Sequence, residues 1–163
     1  MDSLRRVTVT VRLEPMTRDQ YDAYRASAED DYAAEIVRSG TMGAEEARAK
    51  SAADFAELLP DGLDTPGLLL CTAYDGAEPV GMLWLALTET SAGTTAFVYD
   101  VSVHEGLRRR GYGRAIMLAG EAECRARGVV SIGLNVFGPN VVARRLYEDL
   151  GFEVTSTQMQ LTL

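Results

Sequence analysis

Residues 94–136 constrain the fold more tightly than any other part of the chain. Thr94–Val103 is rich in β-branched and aromatic residues and reads as a strand, and His104–Leu107 reads as a short turn. Arg-Arg-Arg-Gly-Tyr-Gly-Arg (108–114) then opens an alanine-rich helix that runs to about Arg127, and Val129–Val136 reads as a second strand. A strand–helix–strand crossover makes its two strands parallel. Arg108, Arg109, Arg110 and Arg114 crowd the helix end where the backbone dipole is already positive and unpaired N–H groups point outward. Added cationic charge is unfavourable there, and a bound polyanion removes the conflict. Gly111 and Gly113 lack a Cβ and let the backbone approach such a ligand closely. The segment reads as a phosphate cradle.

The flanking segments supply a sheet around this unit. Val7–Leu13 alternates apolar and polar residues as a half-buried strand does, and Glu14-Pro15 is expected to end it. Thr17-x-x-Gln20 is a capping box that opens a long helix through Tyr21, Tyr24, Ala28, Tyr32 and Ile36 to Gly40. A second helix is expected from about Ala44 to Leu59, followed by a Pro60–Pro66 loop. Leu68–Tyr74 and Val80–Leu87 form a hairpin around Asp75-Gly76, and Thr95–Val103 continues the meander after Ser91–Gly93. A last helix from Asn140 to Leu150 stops at Gly151, and Phe152–Leu163 is expected to add a final strand. With no repeat or linker visible, residues 1–163 are read as a single domain.

Composition narrows the function. The chain has 163 residues and a formal charge of −8. That balance argues against binding nucleic acid or anionic membranes, whose affinity comes from a broad basic surface. The apolar runs are too short to cross a bilayer, and the first residues lack the pattern of a secretory signal, so a cytoplasmic location is expected. His104 is the only histidine. It leaves no multi-histidine metal site, and no Gly-x-Ser-x-Gly elbow accompanies it, so no metal is expected. Cys71 and Cys124 have neither metal-ligand spacing nor a disulfide framework. Gly111-x-Gly113 does not extend to a dinucleotide fingerprint, because Ile116 takes the third glycine position, and no P-loop Lys-Ser/Thr follows.

Arg108-x-x-Gly111-x-Gly113 after a strand, together with Asn140–Phe152 (Asn-Val-Val-Ala-Arg-Arg-Leu-Tyr-Glu-Asp-Leu-Gly-Phe), resembles the GNAT superfamily of acetyl-CoA-dependent N-acetyltransferases. Weaker likeness in Tyr32–Glu35, Leu58–Pro66 and Leu134–Gly138 extends this over nearly the whole chain, towards a bacterial subgroup of largely unassigned substrate. The resemblance implies an α/β fold of the GNAT type. Its sheet would be mixed, mostly antiparallel and twisted, with about seven strands, helices on both faces, and a splay where the strands near Val101 and Asn135 part.

The same resemblance implies acetyl-CoA as cosubstrate. The backbone of Val101, Ser102 and Val103 would pair with the pantetheine arm. The loop Arg108, Arg109, Arg110, Gly111, Tyr112, Gly113 and Arg114 would hold the pyrophosphate, with Asn140 and Tyr147 beside the cofactor arm. Tyr147 falls at the family's general-acid position, and a phenol with a pKa of about 10 can protonate a leaving thiolate. The base is less defined. Positions matching the family's base are Phe97, Tyr99 and Asn135, none of them a carboxylate. Tyr99 could relay a proton through water, Glu35 could reach in from the first helix, and Asp100 is adjacent but by strict alternation points to the opposite face. Tyr32, Glu35, Trp84 and Asn135 are expected on the acceptor side. The implied activity is acetyl transfer to a primary amine, either a small molecule or a peptide. An acceptor that is a protein N-terminus or lysine, an idle acyl-CoA-binding module, and a homodimer stay open.

Overall fold

A computed structural model of the chain describes residues 9–163. Its elements run β1 (Arg12–Pro15), α1 (Arg18–Arg38), α2 (Ala44–Leu58), β2 (Leu68–Asp75), β3 (Glu78–Thr90), β4 (Gly93–Val103), α3 (Tyr112–Ala126), β5 (Ser131–Leu134) and α4 (Val141–Asp149). The strands lie in the order β1-β2-β3-β4-β5, with three antiparallel pairings and a parallel one between β4 and β5. The crossover through α3 thus gives the parallel pair that its sequence predicts. The sheet is mixed and mostly antiparallel as expected, but it has five strands among the described residues instead of about seven.

The differences sit at the two ends of the chain. Val7 and Thr8 of the expected first strand lie outside the described residues, and the ladder runs from Arg12 through Pro15, which faces Cys71. Proline fits because β1 is an edge strand, where a missing N–H is tolerated. Phe152–Leu163, expected to be a strand, joins no ladder, and Glu153–Leu163 is exposed throughout. Alternation by itself does not make a strand, which also needs a neighbouring edge to accept its main-chain hydrogen bonds. β5 is also shorter than Val129–Val136, spanning Ser131–Leu134.

Two helical layers cover the sheet. On one face α3 buries Ala115, Ile116, Met117, Gly120 and Cys124 over a core of Ala73, Val80, Leu83, Leu85, Ala96 and Val98. On the other, Tyr21 and Ala28 of α1 and Phe55 of α2 pack with Leu70, Met82 and Trp84. The Thr17 capping box forms as read: Gln20 N–H donates to Thr17 Oγ1 at 3.2 Å and Thr17 N–H to Gln20 Oε1 at 2.9 Å. Buried Ser51 donates to the Glu29 carbonyl at 2.7 Å and ties α2 to α1. Close approach at the centre depends on missing side chains. A Cβ on Gly81 would sit 2.1 Å from the Ser102 carbonyl oxygen and 2.9 Å from Ile116 Cδ1. Gly81→Ala is therefore expected to lower stability by about 1–3 kcal/mol in urea unfolding, because backbone and α3 must both shift; an unchanged urea midpoint would contradict this packing.

Candidate active site

β4 carries one residue more than its partner strand can match. Trp84 pairs with Asp100 and Leu85 with Val98, so Tyr99 is the extra residue of a β-bulge. This overturns the expectation from strict alternation that Asp100 points away from Tyr99. Both side chains face α1. The Tyr99 ring lies 5.0 Å from that of Trp84 and 4.8 Å from that of Phe97, while Tyr24 Oη on α1 donates to Asp100 Oδ2 at 2.8 Å.

Asp100 is the centre of a coupled group. Burial pushes its carboxyl above the usual carboxylate range, and the Tyr24 hydroxyl and a backbone N–H bond from Val101 act against that rise. Glu35, in the last turn of α1, is also raised, by burial first and then by the Asp100 charge. Tyr147 on α4 is raised by burial and by the charges of Asp100 and Glu35, so its phenol stays protonated at neutral pH. Of the predicted catalytic residues, Asp100, Glu35 and Tyr147 are therefore near enough to feel one another's charge. Tyr99 stands beside them, 40% exposed.

The group sits where the sheet opens. The parallel ladder ends at Val98–Leu134, and Tyr99–Val103 has no partner on the β5 side. The bulge bends β4 away at this point, which is why β5 is short. Beyond the opening lies the arginine loop. Among the described residues, no main-chain carbonyl receives the N–H groups of residues 109–114, whereas Ala115 N–H donates to the Gly111 carbonyl at 3.1 Å. Arg109 (φ 64°) and Gly111 (φ 91°) are left-handed, and Arg109 is the only non-glycine residue so strained among those described. Successive N–H groups turned one way by such dihedrals form an anion nest. Gly113 lies under α4, where a Cβ would meet Leu146 Cδ2 at 3.4 Å. Free amides, left-handed backbone and exposed guanidinium groups fit a diphosphate. Arg108 Nε donates to the Val103 carbonyl at 3.2 Å and joins the loop to the strand edge.

Other predicted site residues have structural roles. Tyr112 Oη donates to Asp75 Oδ2 at 2.7 Å, which pins the start of α3 to the β2–β3 turn and leaves only its backbone for the cradle. Asn140 caps α4, its Oδ1 accepting from Ala143 N–H at 3.2 Å. Tyr32 donates to Asp54 at 3.2 Å and packs between Phe55 and Phe137. Trp84 is 2% exposed and forms the floor beneath Tyr99. Asn135 is exposed just past the end of β5. Tyr24, which donates to Asp100, was not among the site residues expected from the sequence. Its signal is spacing: Tyr24, Asp31 and Glu35 fall at i, i+7 and i+11, one face of a helix.

A splayed mixed sheet with an amide-lined loop at the opening and an acid–phenol cluster beside it defines an acyl-CoA-dependent transferase. The model of the acetyltransferase (GNAT) family matches residues 19–152, and the chain belongs to that family, whose members transfer acetyl groups from acetyl-CoA to amines. It is 33% identical to the uncharacterised N-acetyltransferase YycN of Bacillus subtilis over 95% of this chain and 100% of that protein. The YycN crystal structure superposes with a TM-score of 0.89 at 34% identity, covering 94% of this chain and 99% of the other. A mycothiol acetyltransferase of Propionibacterium freudenreichii is 33% identical over 74% of this chain and 36% of its own length.

The Tyr24 hydroxyl favours the ionised form of Asp100, so in Tyr24→Phe burial acts with less opposition and the carboxyl midpoint is expected to rise. Carbon-13 NMR titration of aspartate-labelled protein, with Asp100→Asn assigning the signal, measures it; an unchanged or lower midpoint refutes the coupling. Because folding raises the Asp100 midpoint, ionisation of Asp100 costs stability as pH climbs from the unfolded carboxyl value of about 4 through the folded one. Urea unfolding of Asp100→Asn against the parent is thus expected to move in the variant's favour over that climb.

Proposed function

We propose that the protein transfers an acetyl group from acetyl-CoA to a primary amine by direct attack, with Asp100 as base, Glu35 assisting it and Tyr147 as acid. The observation that carries this reading is the bulge at Tyr99, which turns a carboxylate onto the acceptor face within electrostatic reach of the Tyr147 phenol.

The chemistry needs a neutral amine, a stabilised oxyanion and a protonated leaving group. Asp100 and Glu35, both raised from ordinary carboxylate values, are more basic than exposed carboxylates and suited to taking the ammonium or amine proton. The amine nitrogen then forms its bond to the thioester carbon and the carbon–sulfur bond breaks. The unpaired edge from Tyr99 to Val103 offers main-chain donors along the acyl arm, and Tyr147 gives its proton to the departing thiolate. Aromatic rings of Tyr99, Trp84 and Phe97 wall the acceptor side. The loop of residues 108–114 holds the diphosphate through its free amides, and the acidic pair favours an acceptor that arrives as a cation. The buried carboxylate of Asp100 on a central strand favours the enzyme over an idle acyl-CoA-binding module.

Thiol release from acetyl-CoA against polyamines, aminoglycosides, amino acids and short peptides tests the reading. Tyr147→Phe is expected to lower kcat by about 10²–10⁴-fold while coenzyme A binding, followed by calorimetry, stays near that of the parent. Full turnover in this variant removes Tyr147 from the mechanism, and the absence of saturable heat with acetyl-CoA overturns the whole assignment.

A further inference from the structure

The loop of residues 108–114 has to keep its shape before any anion reaches it. Arg109 and Gly111 hold left-handed dihedrals, and Gly111, the N-cap of α3, has no side chain with which to cap the helix. Both features favour relaxation of the loop unless something fastens it. At its start, Arg108 Nε on the Val103 carbonyl does so. At its end, Gly111 and Gly113 offer no side chain, so within residues 111–113 the task falls to Tyr112 alone.

The Tyr112 ring packs against the core beneath α3, and its Oη donates to Asp75 Oδ2 at 2.7 Å across 37 positions of sequence. That bond, more than any other influence, raises the phenol above its ordinary value, so the hydroxyl keeps its proton and remains the donor at neutral pH. Asp75 in turn has a firm base. It ends β2 opposite Glu78, and Arg12 Nη1 of β1 donates to the carbonyl of the next residue, Gly76, at 3.3 Å. A hairpin turn braced by the edge strand is thus joined to the loop through one phenol.

The charge of Asp75 works the other way. Arg110 is near enough to lower the Tyr112 phenol while Asp75 and Glu78 raise it, so the acidic turn and the basic loop share one field. A carboxylate in that field repels a diphosphate. What Asp75 adds to anion binding therefore comes from the bond it accepts and not from its charge.

We propose, resting on the assignment of this loop to the diphosphate, that Asp75 is a positioning residue for coenzyme A: through Tyr112 it holds the loop amides in the shape that receives the anion. Both side chains act through a single charge-assisted bond, so removing either one is equivalent to removing both.

Calorimetry with coenzyme A measures this. Asp75→Ala and Tyr112→Phe are each expected to raise Kd about 3–10-fold, and the double variant no further than either. Asp75→Asn keeps an acceptor for the phenol and removes the charge, so its Kd is expected to stay near the parent's. In turnover, Asp75→Ala is expected to raise KM for acetyl-CoA with kcat near that of the parent. An Asp75→Ala Kd equal to the parent's, with or without a lower urea midpoint, confines the bond to stability and overturns the proposal. So does an Asp75→Asn as weak as Asp75→Ala, or a double variant weakened by the product of the two single effects. A parent that gives no saturable heat overturns the diphosphate assignment and the proposal with it, whereas the other outcomes leave that assignment standing.

Discussion

A carboxylate placed inside a sheet must be compensated, and the 2.8 Å bond from Tyr24 does this for Asp100. The bond ties α1 to β4 at the carboxylate proposed as base. Around it, burial and then the Asp100 charge raise Glu35, and burial followed by the charges of Asp100 and Glu35 raises the Tyr147 phenol. Under the proposed mechanism, one electrostatic arrangement thus serves both the proton acceptors and the proton donor. The same mutual repulsion disfavours carrying two negative charges together, which makes the pair a receptive place for a positive one.

The two faces of the sheet carry different chemistry. The helix α3 and its loop belong to the face packed on Leu83, Leu85 and Val98, and they contribute backbone amides and guanidinium groups. The helices α1 and α2 belong to the other face and contribute carboxylates and aromatic rings. Tyr147 of α4 packs against the core on the α3 face, yet it feels the charges of Asp100 and Glu35. A rigid sheet centre, with Gly81 and Gly120 allowing close approach, holds the two halves in place.

Much of this was legible in the residues. The order of helices and strands, the parallel pair, the capping box at Thr17 and the amide-rich loop all follow from local patterns whose physics is local. The strand count did not follow, because Phe152–Leu163 has the alternation of a strand yet no partner within the described chain. Neither did the direction of Asp100. Its clue was present in the apolar phase of β4: Ala96 and Val98 face α3, but the next such residues are Val101 and Val103, a step of three instead of two. The roles of Tyr24 and Tyr112 were illegible for a different reason, since each is defined by a hydrogen bond to a residue dozens of positions away.

The inserted residue at position 99 has two effects that cannot be separated. It rotates a carboxylate onto one face, and it bends the strand so that the neighbouring parallel strand can no longer follow. Chemistry and access therefore have a common origin in a single unit of backbone. Shortening the strand by that unit would restore regular pleating, seal the gap and turn the acid towards the opposite core together, so the fold has no intermediate in which one is kept without the other.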